Sequence, residues 1–177
     1  AEEGKISLYQ PLVDFYTEQV SANGITNDAN ITVTNDMLDA AAENADTAIV
    51  TIGRYSSEGS DRTASKGDYY LSDAETELLT RVAAKFKKTV VVLNVGAVLD
   101  TEWIKNIPGI DSVLMAWQAG MEGGLATADV LVGDVNPSGK FVDTFAKSYT
   151  DYPSSDTFYE SSAYVNYEED IFVGYRY

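Results

Sequence analysis

The sequence contains neither cysteine nor histidine, and these two absences exclude several kinds of site. Without cysteine there can be no disulfide, no thiolate metal site and no cysteine nucleophile. Without histidine, a Ser-His-Asp triad, a histidine-ligated zinc and a histidine general base are all impossible. Acid–base chemistry in this chain must therefore use carboxylates, lysine or tyrosine. We predict no metal and no cofactor.

Basic residues are also scarce, since 12 Lys and Arg stand against 28 Asp and Glu, giving a formal net charge of −16. Nucleic acids and anionic membrane surfaces attract clustered cations, so we predict neither as a partner. No apolar run approaches the length of a membrane-spanning helix. The acidity is interpreted mainly as a contribution to solubility. Nothing in the composition indicates a compartment.

Apolar residues make up 45% of the 177 positions, which is enough for one folded domain with a core. Strand-like apolar runs alternate with helical periodicity, a pattern typical of a mostly parallel sheet with helices on both faces. The predicted fold class is therefore α/β, a three-layer α/β/α sandwich whose strand order stays open. The predicted strands are 46–53, 89–94 and 111–117, and 141–145 could add an edge strand. The predicted helices are 6–22, 36–44, 72–86, 101–105 and 122–132.

Local signals mark several of these boundaries. Ser72 and Glu75 form a capping-box pattern at the start of a helix, and Thr34 or Asn35 is placed to cap another. The run 47–52 predicts a fully buried strand, which in a parallel sheet delivers its following loop to the edge where ligands usually bind.

That loop, 53–68, is long for a strand-to-helix connection, and long ordered loops are usually functional. It carries six charged residues, and within it Glu58 lies between Ser57 and Gly59, which give its carboxylate little steric cover. We interpret Glu58 as a candidate general acid/base, against the alternative that it is ordinary surface charge. Asp61 and Arg62 are interpreted as a pair that holds the loop.

Two further motifs follow the predicted strand 111–117. Trp117 could stack on a sugar ring or, equally well, close the rim of the core. The glycine-rich turn 120–124 lacks dinucleotide-fingerprint spacing, and Glu122 would repel a phosphate, so the glycines are interpreted as packing devices.

Taken together and in order, several segments resemble glycoside hydrolase family 3 β-glucosidases. The match extends from about Ala45 to the end of the chain. The segments that carry it are 53–62, 70–72, 91–96 with Trp103, 117–124, 128–131, 133–140 and 167–177.

The resemblance implies a retaining exo-glycosidase in which an α/β sandwich lends an acid/base Glu to a TIM-like barrel. Glu58 occupies the position of that Glu, and the nucleophilic Asp would belong to a barrel partner. Tyr55, Ser57 and Trp117 become candidate substrate contacts. The absence of histidine points away from the family's N-acetylglucosaminidases, which use an Asp-His pair.

Three departures accompany the resemblance. The family's opening strand and Gly/Ser-rich turn are not visible before Ala1, the sequence stops at Tyr177 where the family normally runs on toward a further β domain, and the proline usual after Thr144-Phe145 is missing. We expect 1–177 to be a single sandwich domain from a larger enzyme, with 149–177 an extended segment that leads to or contacts another domain.

The predicted function is the acid/base-donating domain of a β-glucosidase-like hydrolase acting on terminal β-D-glucosyl residues. The predicted partners are a small carbohydrate substrate and the barrel domain. The alternative is a non-catalytic carbohydrate-binding or packing module with the same fold.

Overall fold

The computed structural model describes residues 4–24, 31–55 and 62–176, except for the side chain of Asn23. Over this part of the chain three strands alternate with helices. The strands are β1 (Thr47–Gly53), β2 (Lys88–Asn94) and β3 (Ser112–Met115). The helices are α1 (Gln10–Asn23), α2 (Asn35–Asn44), α3 (Asp73–Lys85), α4 (Trp103–Asn106) and α5 (Gly123–Val132). Short 3₁₀ helices follow at Tyr149–Asp151, Pro153–Asp156 and Gly174–Arg176.

The sheet is parallel and its described strands are in sequence order, β1-β2-β3. Crossover connections between parallel strands are right-handed. When two successive crossovers step in the same direction across the sheet, they therefore place their helices on the same face of the sheet. The core confirms this arrangement, because Leu79 of α3 and Trp103 of α4 share one apolar cluster with Val91 and Leu93 of β2. A second cluster joins α2 and α3 through Leu38 and Val82.

The prediction that β1 is fully buried is wrong, because the face of β1 turned away from α3 and α4 is partly exposed. The strand is not fully buried: among its residues only Ile52 is buried, and Ile49 is 48% exposed. Ile49 pairs in register with Val90, so it faces away from the side that α3 and α4 cover. β1 also lies at an edge of the described sheet, where it has a partner on one side only.

The helix signals were mostly correct. Ser72 caps α3 in a full capping box with Glu75, and the Thr34 side chain accepts a hydrogen bond from the Met37 N–H at the start of α2. Helix α1 begins at Gln10 and not at Ile6, with Pro11 in the first turn, where the missing N–H costs nothing. Gly24 follows α1 with φ of 77° and ψ of 158°, and its N–H donates to the Val20 carbonyl oxygen.

Two predicted strands differ from the structure. The strand predicted at 111–117 is shorter, Ser112–Met115. In the described chain 141–145 has no strand pairing; there Phe141 and Phe145 instead pack their rings against each other and against Trp117. The segment 31–34 is extended without forming a strand.

Candidate functional site

The candidate site lies at the carboxyl edge of the sheet, where β1 and β2 end side by side. Gly53 pairs with Asn94, and the Arg54 N–H donates to the Asn94 carbonyl oxygen at 3.1 Å. The chain that leaves this edge carries the predicted acid/base residue. Ser57, Glu58 and Asp61 lie outside the described residues. Tyr55 and Arg62 are described, and Tyr55 is 82% exposed directly after β1.

Arg54 turns back from this edge into the protein, and its side chain is only 6% exposed. Its guanidinium meets the Glu75 carboxylate in a two-pronged ion pair, Nη1 to Oε1 at 2.5 Å and Nη2 to Oε2 at 2.7 Å. Arg54 Nε also donates to the Asp68 carbonyl oxygen at 2.8 Å. A paired fork of this kind fixes direction as well as distance.

Arg62 is held in a similar way at the other end of the undescribed segment. Its Nε pairs with the Asp68 carboxylate, and its Nη1 donates to the Val98 carbonyl oxygen at 3.1 Å. Its own carbonyl oxygen accepts a hydrogen bond from the Tyr159 hydroxyl at 2.7 Å. Arg62 is thus tied to its own loop, to the chain after β2 and to the C-terminal segment.

The two arginines share one acceptor. The Asp68 carbonyl oxygen that takes Arg54 Nε also takes Arg62 Nη2, at 2.6 Å. The chain therefore leaves the sheet at Arg54 and returns at Arg62 to the same peptide group. Only residues 55–61 connect these two fixed points.

The turn that supplies this peptide group is itself anchored. Next to Asp68, Tyr69 is 5% exposed, and its ring meets the Tyr149 ring at a centroid distance of 5.4 Å. The Tyr69 carbonyl oxygen accepts from the Asp100 N–H at 2.9 Å, which ties the turn to the chain after β2. The shared acceptor is therefore a fixed part of the fold.

The carboxylates of this network stay ionised. Burial acts to raise the pKa of the Asp68 carboxyl, but hydrogen bonds from the Thr63 backbone and from Arg62 outweigh it and lower the pKa below its usual value. Burial likewise opposes ionisation of Glu75, while hydrogen bonds from Arg54 and the Ser72 N–H bring its pKa below the usual range. Each arginine thus has its own compensating carboxylate.

Trp117 lies at the same edge but belongs to a different cluster. It follows β3, two strands away from β1, which corresponds to about 10 Å across a sheet. Its ring is tilted against Phe145 and edge-on to Phe141, with centroids 6.3 and 6.4 Å away. Its backbone has φ of 55°, a left-handed conformation that is rare and strained for a bulky residue.

An apolar cavity of about 500 Å³ opens beside this aromatic cluster, between β3 and α4. Met115, Ile104 and Phe145 contribute apolar walls, and Asp143 is the acidic group in its lining. A single carboxyl in such a cavity does not make the pair that glycoside chemistry requires.

Sequence reasoning missed three residues of the network. Tyr159 carries no local signal, because it donates to Arg62, 97 positions away. Asp68 lies in the charged loop itself, but it was not recognised as the partner of Arg62. Glu75 was recognised as part of a capping box but not as the partner of Arg54, 21 positions earlier. Among the described residues no acidic cluster could hold a metal ion, and no described helix is long and apolar enough to cross a membrane.

Comparison with known proteins gives a consistent result. β-Glucosidase A of Butyrivibrio fibrisolvens is 44% identical over 201 aligned residues, covering 97% of this chain and 24% of the relative. The structure superposes on a β-glucosidase from Paenibacillus barengoltzii with a TM-score of 0.88 and 36% identity, covering 97% of this chain and 20% of the other.

A second solved structure, β-glucosidase 3B from Thermotoga neapolitana in complex with glucose, gives a TM-score of 0.87 at 35% identity, covering 99% of this chain and 27% of that one. The chain thus spans about a quarter of the length of these relatives. The likeness confirms the α/β sandwich with a parallel sheet that the alternating pattern predicted.

The glycosyl hydrolase family 3 C-terminal domain matches residues 4–175, nearly the whole chain. The resemblance noted in the sequence is therefore confirmed. This chain belongs to the glycosyl hydrolase family 3 C-terminal domains, of the type found in β-glucosidases.

Proposed function

We propose that this chain is the acid/base-donating domain of a retaining, exo-acting β-glycosidase that hydrolyses terminal β-D-glucosyl residues. Glu58 is the acid/base. A TIM-like barrel domain carries the nucleophilic Asp and most of the sugar pocket. The observation that carries the proposal is the double anchoring of Arg54 and Arg62 on Asp68, which holds the chain on both sides of Glu58.

In a retaining mechanism two carboxyl groups about 5–5.5 Å apart flank the scissile bond. In the first step the protonated Glu58 carboxyl donates its proton to the glycosidic oxygen while the barrel Asp attacks the anomeric carbon; the bond between that carbon and the glycosidic oxygen breaks, and the aglycone leaves as a neutral alcohol. In the second step the Glu58 carboxylate accepts a proton from the water that attacks the glycosyl–enzyme bond. Glu58 returns to its protonated state and the Asp leaves as a carboxylate.

The charge balance around the flanking arginines supports this role. A general acid needs a pKa near the working pH, and an unpaired arginine nearby would lower it. Arg54 is paired with Glu75, and Arg62 is paired with Asp68. Since each cation is already compensated, neither imposes a full positive charge on a neighbouring carboxyl.

The neighbouring residues extend the proposal to the substrate. Tyr55 and Ser57 precede Glu58 in the sequence and are proposed to contact the sugar, and Tyr55, directly after β1, is 82% exposed and available to a ligand. Trp117 is a weaker candidate for substrate contact, because its ring packs on Phe141 and Phe145. Asp61 and Arg62 support the chain that carries Glu58.

The test is Glu58→Gln in the enzyme that combines this chain with its barrel. We expect kcat/KM for cellobiose or a phenyl β-glucoside to fall by roughly 10²–10⁴, the usual contribution of general acid catalysis. A dinitrophenyl β-glucoside should lose little kcat/KM, because its leaving group needs no proton. Unchanged hydrolysis of the natural disaccharide would refute the role and favour a non-catalytic module.

A further inference from the structure

We propose that Glu75 is a positioning residue for the acid/base carboxyl of Glu58 and that it acts through Arg54. The inference rests on the function proposed above. It adds a residue from helix α3, which carries no motif of the site and reaches it only through the folded structure.

The first step of the argument is the geometry of Arg54. The direction of its side chain is set by four groups: the Glu75 carboxylate and the carbonyl oxygens of Asp68, Gly53 and Tyr70, the Gly53 oxygen at 2.7 Å from Nη1 and the Tyr70 oxygen at 3.4 Å from Nη2. Only Glu75 among these opposes its charge. With the side chain 6% exposed, water cannot replace that partner.

The second step is the repulsion that Glu75 offsets. Arg54 and Arg62 both donate to the Asp68 carbonyl oxygen, so two guanidinium groups converge on one acceptor. Like charges this close repel strongly in a partly buried setting. Asp68 compensates Arg62, and Glu75 compensates Arg54. Without Glu75, the Arg54 and Arg62 guanidinium groups would share the Asp68 carbonyl oxygen with only the Asp68 carboxylate to balance their two positive charges.

The third step is the rigidity of Glu75 itself. Its Oε2 accepts from the Ser72 N–H at 2.7 Å as well as from Arg54, so the carboxylate is fixed to the first turn of α3. Helix α3 is in turn fixed to the sheet by Leu79, which is fully buried. The position of Arg54 is thus fixed relative to the hydrophobic core through Glu75 and α3. Arg54 is also where the segment that carries Glu58 begins.

The ion pair differs from others nearby. Lys66 and Asp73 form a pair at the same end of α3, but their side chains are 67% and 85% exposed. Exposed pairs of this kind are screened and contribute little. Asp73 therefore provides a matched control: an acidic residue in the same helical turn, paired with a cation of the same loop, without burial.

The experiment compares kcat/KM for phenyl and dinitrophenyl β-glucosides in the enzyme that combines this chain with its barrel. Glu75→Ala should lower kcat/KM for the phenyl substrate by up to ~100-fold, the cost of a small misplacement of a catalytic group. It should leave kcat/KM for the dinitrophenyl substrate nearly unchanged. In a Glu58→Gln background, Glu75→Ala should cause no further loss, since the group it positions is already gone.

Two control variants separate positioning from helix stability. Asp73→Asn should leave kcat/KM unchanged for both substrates. Ser72→Ala weakens the capping box but keeps the Ser72 N–H and the Arg54–Glu75 pair, so it should lower the melting temperature without the leaving-group effect. If Glu75→Ala does not fold, Glu75→Gln and Arg54→Lys replace it, because each keeps a hydrogen bond and removes the paired fork.

The inference would be overturned if Glu75→Ala lowered kcat/KM equally for both substrates, or if it lowered kcat/KM further in the Glu58→Gln background. Glu75 would then be a structural residue. If Glu58→Gln shows the leaving-group effect and the Glu75 and Arg54 variants do not, this inference fails alone. If Glu58→Gln itself has no such effect, the proposed function fails with it.

Discussion

At the scale of single residues, the site depends on paired charges. In the sequence, Arg54 and Arg62 lie close to Glu58 and would tend to lower the pKa of its carboxyl, while Asp61 would tend to raise it. In the structure both are paired, and the carboxylates that pair with them are Glu75 and Asp68. The positive charges of these two arginines are therefore balanced by ion pairs within the fold.

Arg62 provides the prediction at this scale. Arg62→Ala removes the bonds to the Asp68 carboxylate, to the Asp68 carbonyl oxygen and to the Val98 carbonyl oxygen. We expect activity of the complete enzyme to fall by up to ~100-fold through misplacement of Glu58. Steady-state kinetics on a phenyl β-glucoside measures the loss.

Lys66→Ala is the matched control for that variant, because Lys66 is a cation of the same loop whose side chain is 67% exposed. It should retain full activity. An Arg62→Ala enzyme with undiminished kcat/KM would contradict the role given to Arg62.

At the scale of elements, helix α3 connects the core to the site. Its inner face buries Leu79, Val82 and Ala83, and its first turn carries Glu75. Strand β1 is the opposite case, since its outer face is partly uncovered at Ile49. The site therefore derives its rigidity from the α3 side of the sheet.

The capping box of α3 gives a stability prediction. In Ser72→Ala the Glu75 N–H, which donates to the Ser72 hydroxyl at 3.1 Å, loses its partner. Loss of an N-cap side chain typically costs about 1 kcal/mol of the free energy of unfolding. Urea denaturation of the purified chain measures the change. A shift of the midpoint toward higher urea would show that the cap does not stabilise α3.

At the scale of the whole molecule, large apolar side chains are exposed near the C-terminal end. Tyr167 is 80% exposed and Tyr175 is 90% exposed, and Ile171 and Phe172 are more than half exposed. Exposed apolar groups in such number are typical of surfaces that meet another protein surface. They are consistent with the proposal that 149–177 contacts another domain.

The last prediction is that residues 1–177 alone have no glycosidase activity. Retention needs two carboxyls, and two other acidic residues near the presumed ligand edge, both in the described part of the chain, serve elsewhere or face solvent. Asp100 accepts a hydrogen bond from the Glu102 N–H at 3.2 Å, and Glu122 is exposed. Without the barrel, solvent would surround Glu58, and the low dielectric that strengthens catalytic electrostatics would be absent.

The purified chain should show no turnover of aryl β-glucosides above background and should bind glucose weakly or not at all, as measured by calorimetry. Adding the barrel domain in trans should restore turnover if the interface between the two parts survives separation. Clear turnover by the chain alone, abolished by Glu58→Gln, would place a nucleophile within these residues.

The sequence by itself determined the α/β class, the helix cap at Ser72 and the family, and it narrowed the cap of α2 to Thr34 or Asn35. These depend on local periodicity, on side chains that bond within a few positions, and on motifs in fixed order. It also predicted that Asp61 and Arg62 hold the loop, which stays a prediction. None of this required knowing which segments meet in space.

Only the tertiary structure decided how the site is held. The pairing of Arg54 with Glu75, the shared Asp68 carbonyl oxygen and the hydrogen bond from Tyr159 to Arg62 join segments 6 to 97 positions apart. Burial of β1 was misjudged for the same reason, because the exposure of Ile49 depends on strand order and on which face the crossovers cover. Periodicity reports how apolar a strand is, whereas its neighbours decide whether it is buried.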